Sequence, residues 1–288
     1  MKLISNTEFG GERPLFESHD LRLENVTVRA GESAIKECSN IEAVNCRFEG
    51  NYPFWHVHGF AIDRCFFDVG ARSALWYSDR LKMTDTRIDA PKMFREMHDI
   101  EIENVEMTDA DEVFWRCNRL NIKNLKLHGG TYPFMFCNGL RIDGLESDSK
   151  YVFQYVKNME LRNAKITTKD ALWETENVTV YDSELNGEYL GWHSRNLRLV
   201  NCRISGTQPL CYAETLVLEN CVMADDCDLA FEYSSVHATI DSPVRSVKNP
   251  RSGCIIAESY GEIILDKHIK APADCALKLR DERTCFSA

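Results

Sequence analysis

Residues 120–139 read LNIKNLKLHGGTYPFMFCNG, and near copies of this stretch precede and follow it without a break. Aligned on the first apolar residue, the copies begin at Leu21, Ile41, Phe60, Leu81, Ile100, Leu120, Leu140, Met159, Val178, Leu197, Leu216 and, more loosely, Val236, at intervals of 19–21 residues. Each opens with strict alternation, as in Leu21-Arg22-Leu23-Glu24-Asn25-Val26-Thr27-Val28 and Ile100-Glu101-Ile102-Glu103-Asn104-Val105-Glu106-Met107. A period of two describes a strand with one buried face. The fifth position holds Asn25, Asn45, Asn104, Asn124, Asn163, Asn201 and Asn220, with Asp85, Asp182 and Gly144 substituting. These residue types tolerate a left-handed backbone, so the chain bends there, and asparagines in register can hydrogen-bond along a stack.

A loop of four or five residues follows, such as His128-Gly129-Gly130-Thr131-Tyr132, then a third short strand, Pro133-Phe134-Met135-Phe136-Cys137, and a tight turn. Three strands and three bends in about twenty residues describe a parallel β-helix. A leucine-rich horseshoe shares the period, but its return limb is helical or extended, and here the return segment reads as another strand. The expectation is an all-β, single-stranded parallel β-helix of eleven or twelve coils in one domain, with residues 1–20 as an N-terminal cap, 21–240 as the repeats and 241–288 as a C-terminal cap. Gly10, Gly11 and Pro14 argue against a further full coil before Leu21. A capped end protects unpaired strand edges. After Val236 the asparagines cease, and Asp241, Arg245 and Asn249 are either packed cap residues or a polar site at the end of the coil.

The coil with its asparagines resembles the right-handed parallel β-helix of pectin-lyase-like proteins. More narrowly, Gly11-Glu12-Arg13-Pro14-Leu15-Phe16, Ala30-Gly31-Glu32-Ser33, Tyr52-Pro53-Phe54-Trp55 and Ile240-Asp241-Ser242-Pro243-Val244-Arg245-Ser246-Val247-Lys248-Asn249-Pro250 resemble a bacterial domain-of-unknown-function family with this fold, whose members are sometimes labelled hydrogenase-related. The resemblance implies fold and length rather than activity. A nickel-iron site would need paired CxxC ligands, and the sequence has no CxxC.

Hydrophobic content of 44% with 27% charged residues marks a packed protein rather than a disordered one. The opening residues lack the apolar run of a signal peptide and no stretch approaches a membrane span, so the expected location is cytoplasmic. The net charge of -11 disfavours nucleic acid and anionic membranes as partners. The cysteines fall on repeat positions: Cys46 with Cys65, Cys117 with Cys137, and Cys202 with Cys221. Stacked ~4.8 Å apart with parallel side chains, they read as reduced core residues rather than disulfides. No cofactor is indicated.

Chemistry is carried by three columns near the end of each coil. Trp55, Trp76, Trp115, Trp173 and Trp192 share one with Lys36, Arg95 and Gln154. Unpaired charge is rarely tolerated in a narrow core, so this column belongs at or near the outside. The column before it, Ile35, Phe54, Leu75, Phe94, Phe114, Phe134, Phe153, Leu172 and Leu210, carries no charge and points in. The column after it is ionisable: Glu37, His56, Tyr77, Glu96, Arg116, Phe136, Tyr155, Glu174, His193, Tyr212 and Glu232. Alternation alone would bury this third column beside the phenylalanines, so the strand must bend between them. The inverse arrangement, with tryptophans inside and phenylalanines exposed, stays open.

Either way one face sets rings beside carboxylates, imidazoles and phenols, which suits a carbohydrate. Trp55, His56, Trp76, Tyr77, Trp115, Tyr155, Trp173, Trp192 and Tyr212 are the candidate binding residues. Glu96 one coil from Arg116, and Glu174 one coil from His193, are the candidate catalytic pairs of an eliminating lyase. A ladder of surface ion pairs would look the same. Neighbouring coils never pair two acids in this column, which argues against a hydrolase. At the turn two residues before each copy, His58, Asp79 and His98 are either metal ligands or exposed turn residues, with outer members ~9.6 Å apart along the stack. Three functions remain: carbohydrate recognition or processing, a noncatalytic scaffold for a protein partner, and a metal-dependent enzyme.

Overall fold

The computed structural model describes residues 1–268 and 273–280 of the 288-residue chain. Among the described residues the regular elements are β-strands, and the sheet pairings are parallel. The chain divides into two compact units, Met1–Ser149 and Lys150–Ala288. Each is a parallel β-solenoid, with about fourteen turns in all.

In the first unit the leading strands stack in chain order: Lys2–Ser5, His19–Glu24, Ser39–Val44, His58–Asp63, Asp79–Thr84, His98–Met107, Asn118–Leu127 and Asn138–Ser147. Their register joins the repeat starts: Leu21 pairs with Ile41, Ile41 with Phe60, Phe60 with Leu81, and Ile100 with Leu120. Past the asparagine a second ladder runs through Glu8–Glu12, Thr27–Glu32, Arg47–Phe48, Phe66–Phe67 and Arg87–Ile88. Residues 1–20 are thus themselves a coil. Gly11 is accommodated by a register shift rather than by a break.

In the second unit the leading strands are Lys157–Thr167, Glu176–Tyr181, Arg195–Val200, Leu216–Met223, Ser235–Ile240, Ser252–Ala257 and Asp274–Leu279. The last two have no asparagine at the bend, so the repeat alone does not reveal them. These coils and the first one account for the turns beyond the eleven or twelve read from sequence.

The asparagine position is left-handed, with Asn25 at φ 54° and Asn124 at φ 50°. Neighbouring amides bond to each other: Asn124 Nδ2 donates to Asn104 Oδ1 at 3.0 Å, and Asn220 Nδ2 to Asn201 Oδ1 at 3.3 Å.

The third side of the coil departs from the expected strand. Every second residue there is left-handed, as in Tyr52 (φ 56°), Phe54 (φ 60°) and His56 (φ 51°). Successive coils are joined there by backbone hydrogen bonds, such as Trp55 N–H to the Ile35 carbonyl at 3.2 Å and His56 N–H to the Trp76 carbonyl at 3.1 Å, and by isolated bridges such as Lys36 to Trp55 and Arg95 to Trp115 in place of continuous ladders. A left-handed residue other than glycine costs about 1 kcal/mol, whereas burying a phenylalanine contributes roughly 1.5–3 kcal/mol. Burial wins: Phe54, Phe94, Phe114 and Phe134 are fully buried, and Phe114 stacks on Phe94 and Phe134 at 4.4 and 4.7 Å. The corners are tight. A Cβ on Gly187 would lie 1.6 Å from the Thr168 carbonyl oxygen, so only glycine fits there.

Among the described residues ten cysteines are free thiols and nine of these are buried, including all three stacked pairs. Cys254 departs from the reduced reading, being disulfide-bonded.

Candidate functional site

The left-handed residues decide which columns reach solvent. Phe54 and His56 are two apart, yet the pair of left-handed turns around Trp55 sends the phenylalanine inward and the imidazole outward. The same geometry at Leu172 (φ 58°) and Glu174 (φ 50°) buries the leucine and exposes the carboxylate. The tryptophan column between them is half-buried. The outward reading of that column is the one the structure adopts.

The indoles nonetheless turn their faces toward one another. In the first unit Trp55 and Trp76 stack at 5.4 Å with planes 13° apart. Lys36 Nζ lies 5.7 Å from the Trp55 ring centroid, and the Arg95 guanidinium sits between Trp76 and Trp115, 4.4 and 5.3 Å from their centroids. Each cation gains from the ring quadrupole, and Glu112 neutralises Arg95 at 2.8 Å. The indole N–H groups are also committed. Trp55 Nε1 donates to the Ser73 carbonyl, Trp76 Nε1 to Lys92 and Trp192 Nε1 to Gln208, each at 2.7 Å. A ligand meets ring edges here, not flat platforms.

Of the first-unit candidates, His56 and Tyr77 stack on each other at 5.3 Å. Glu96 and Arg116 are exposed and, among the described residues, form no ion pair; Arg116 lies over Phe136 at 5.5 Å instead. Glu96 and Arg116 do lie on adjacent coils, as the Glu96 N–H to Trp115 carbonyl bond at 2.8 Å shows, but not as an ion pair.

The turn column places His58, Asp79 and His98 on one carboxylate oxygen. His58 Nδ1 is 2.8 Å and His98 Nε2 3.7 Å from Asp79 Oδ2. Arg80 Nη1 reaches Asp79 Oδ1 at 2.7 Å, an ion pair by distance without hydrogen-bond alignment. Asp79 is buried: His58 is within hydrogen-bond distance of Oδ2, and Oδ1 faces the Arg80 charge without a hydrogen bond. Among the described residues no three His, Cys, Asp or Glu side chains come together in a geometry that would hold a metal ion.

The second unit brings more of the candidates together. A groove of about 450 Å³ is lined by Tyr155, Lys157, Glu174, Thr175, Glu176, His193, Arg195, Tyr212 and Glu214. Two rows run along it, one residue per coil. Tyr155, Glu174, His193 and Tyr212 form the ionisable row, and His193 stacks on Tyr212 at 4.9 Å and leans against Trp173 at 5.5 Å. Lys157, Glu176, Arg195 and Glu214 form the other, on the same turn column as His58, Asp79 and His98. This second row is absent from the sequence-based candidates. Its signal was the alternation of sign down the column. Trp173 and Trp192 stack behind the groove at 5.4 Å.

Burial pushes the Tyr212 phenol above its ordinary value, and nearby Glu232 adds to the shift. Glu232 itself falls in the tryptophan column, not the ionisable one: the Tyr212 amide donates to the Glu232 carbonyl and the Tyr212 ring stacks on Tyr233. The turn before Val236 is one residue shorter than its predecessors, so counting back from the repeat start lands one position early in the coil. Buried there, Glu232 is held by Lys248 Nζ at 3.0 Å.

Comparison with solved structures finds the surface adhesin PfbA of Streptococcus pneumoniae, at 10% identity and TM-score 0.45, covering 90% of this chain and 83% of that one. It also finds the periplasmic alginate epimerase AlgG, at 12% identity and TM-score 0.30, covering 96% and 76%. A third is tailspike protein 3 of bacteriophage CBA120, at 8% identity and TM-score 0.26, covering 82% and 49%. These likenesses are too remote to carry a ligand or an activity over. No curated protein matches the chain. The family model described as "Protein of unknown function (DUF3737)" matches residues 2–278, and the chain belongs to that family.

Proposed function

We propose that the chain recognises a carbohydrate in the second-unit groove. The observation that carries this reading is the gathering of two tyrosines, an imidazole, three carboxylates and two cations along one open groove of about 450 Å³. An apolar ligand would leave these polar groups unpaired, whereas a hydroxyl-rich ligand can pair with donors and acceptors of both kinds. The Tyr155, His193 and Tyr212 rings supply the apolar edges that such a ligand also presents. Groups fixed on a strand scaffold need little ordering on binding.

The test is calorimetric titration with oligosaccharides drawn from a glycan array, using wild type, His193→Ala and, in the first unit, His56→Ala. His193→Ala weakens binding about tenfold or more, equivalent to roughly 1.4 kcal/mol, and His56→Ala leaves it unchanged. Binding that responds to His56 and not to His193 would place the ligand on the other unit and sink this reading.

A further inference from the structure

We propose that the groove selects an uncharged glycan and rejects an acidic one, with Glu176 and Glu214 as the residues that set this specificity. The inference rests on the carbohydrate reading of the same groove.

Sugar acids are bound by cations with free valence, so what matters is whether Lys157 and Arg195 are available. Both already face carboxylates. Lys157 Nζ lies 2.9 Å from Glu176 Oε2, and Arg195 Nε lies 3.6 Å from Glu214 Oε2. The sharing follows from the coil. Lys157 pairs in register with Glu176, Glu176 with Arg195 and Arg195 with Glu214, so charges of alternating sign stand one strand spacing apart, ~4.8 Å.

The Lys157 ammonium beside Glu176 holds that carboxyl below its ordinary range, which keeps it ionised at neutral pH. Glu174 adds a third carboxylate from the adjacent row. Leaving His193 aside, three carboxylates face two cations, an excess of one negative charge. A chain that is itself acidic, at -11, adds long-range repulsion of the same sign. An anionic polymer would have to displace Glu176 and Glu214 from their cations and then lie beside them. A neutral polyol can accept hydrogen bonds from Lys157 and Arg195 and donate to the glutamates without breaking either pair.

The experiment titrates neutral oligosaccharides (glucan, galactan, mannan and xylan oligomers) and acidic ones (galacturonate and mannuronate oligomers) into wild type, Glu214→Gln and the Glu176→Gln/Glu214→Gln double variant. In wild type a neutral oligomer binds, with little dependence on salt, and the acidic oligomers do not. In the double variant the freed cations raise affinity for an acidic oligomer about tenfold or more at low salt, and Glu214→Gln gives part of the gain. An unchanged circular dichroism spectrum and denaturant midpoint report that the variants are folded. Wild type that binds an acidic oligomer as tightly as any neutral one overturns the inference and leaves the carbohydrate reading standing. A folded double variant that gains nothing for acidic oligomers overturns the role of the two glutamates. If no oligomer of either class binds wild type, the carbohydrate reading fails and the inference fails with it.

Discussion

Lys248 Nζ lies 3.0 Å from the carboxylate of Glu232, a side chain that is only 11% exposed. Glu232 occupies the column that holds tryptophan in five other coils and is buried there, so its charge needs a partner. Removing one member of such a pair strands the other. Lys248→Met therefore costs about 3 kcal/mol, read as a lowered denaturant midpoint, and adding Glu232→Gln restores part of the loss. An unchanged midpoint in Lys248→Met would show that solvent, not Lys248, satisfies Glu232.

Arg95 between two indoles gives a second expectation. Its guanidinium touches Trp76 and Trp115 and is anchored by Glu112. Arg95→Ala lowers stability by about 1–2 kcal/mol and alters the near-ultraviolet circular dichroism of the tryptophans. Arg95→Lys recovers the charge but not the planar stack, and lies between the two. If lysine restores wild-type stability, charge alone is the contribution.

Alkaline stability follows from the buried thiols. Burial pushes Cys211 and Cys227 up to about 12 from an ordinary value of 9.0. The unfolded chain therefore gives up these protons first, so their contribution is fully present below pH 9.0 and is lost as pH rises toward about 12. Each pH unit in that window removes about 1.4 kcal/mol per thiol. Stability curves measured from pH 8 to 11 fall less steeply for Cys211→Ala than for wild type; identical slopes would refute the burial account.

Glu174 and His193 open onto one groove, whereas Glu96 and Arg116, among the described residues, form no ion pair and Arg116 lies over Phe136. If the bound glycan is processed, Glu174→Gln lowers turnover by about 10²-fold or more while leaving affinity close to wild type, and Glu96→Gln changes neither. Wild-type turnover in Glu174→Gln would remove that residue from the chemistry.

How much of this was written in the sequence depends on what each signal measures. Alternation from Leu120 onward gave the strand register residue by residue, because burial of one face has period two and slips are costly. Asn104 and Asn124 marked the bend for the same reason: few residues adopt a left-handed backbone cheaply. The third side was harder to read. Phe134 and Phe136 look like one strand in sequence, and only the left-handed conformation of both separates the buried ring from the exposed one. Glu232 was misplaced because a one-residue deletion in a turn leaves no mark on the strands at either end. In the groove, Glu174, His193, Tyr155 and Tyr212 were legible as members of an ionisable column two residues from an uncharged one. Lys157 and Arg195 were not, since a charged residue at an exposed turn is ordinary until its neighbours on adjacent coils are known.

The indole N–H bonds have a consequence for how such a chain can change over generations. Trp76 and Trp192 each reach a carbonyl sixteen residues ahead, and Trp55 one eighteen residues ahead, on the loop of the following coil. An insertion within the strands of that span slips the register of everything beyond it, whereas the two extra residues between Trp55 and Ser73 fall in a loop and keep the carbonyl in reach. Duplicating or deleting a whole repeat leaves each donor facing an equivalent acceptor. Descent in this architecture is thus quantised: small insertions are tolerated only at loop tips, and length is inherited in steps of one full coil.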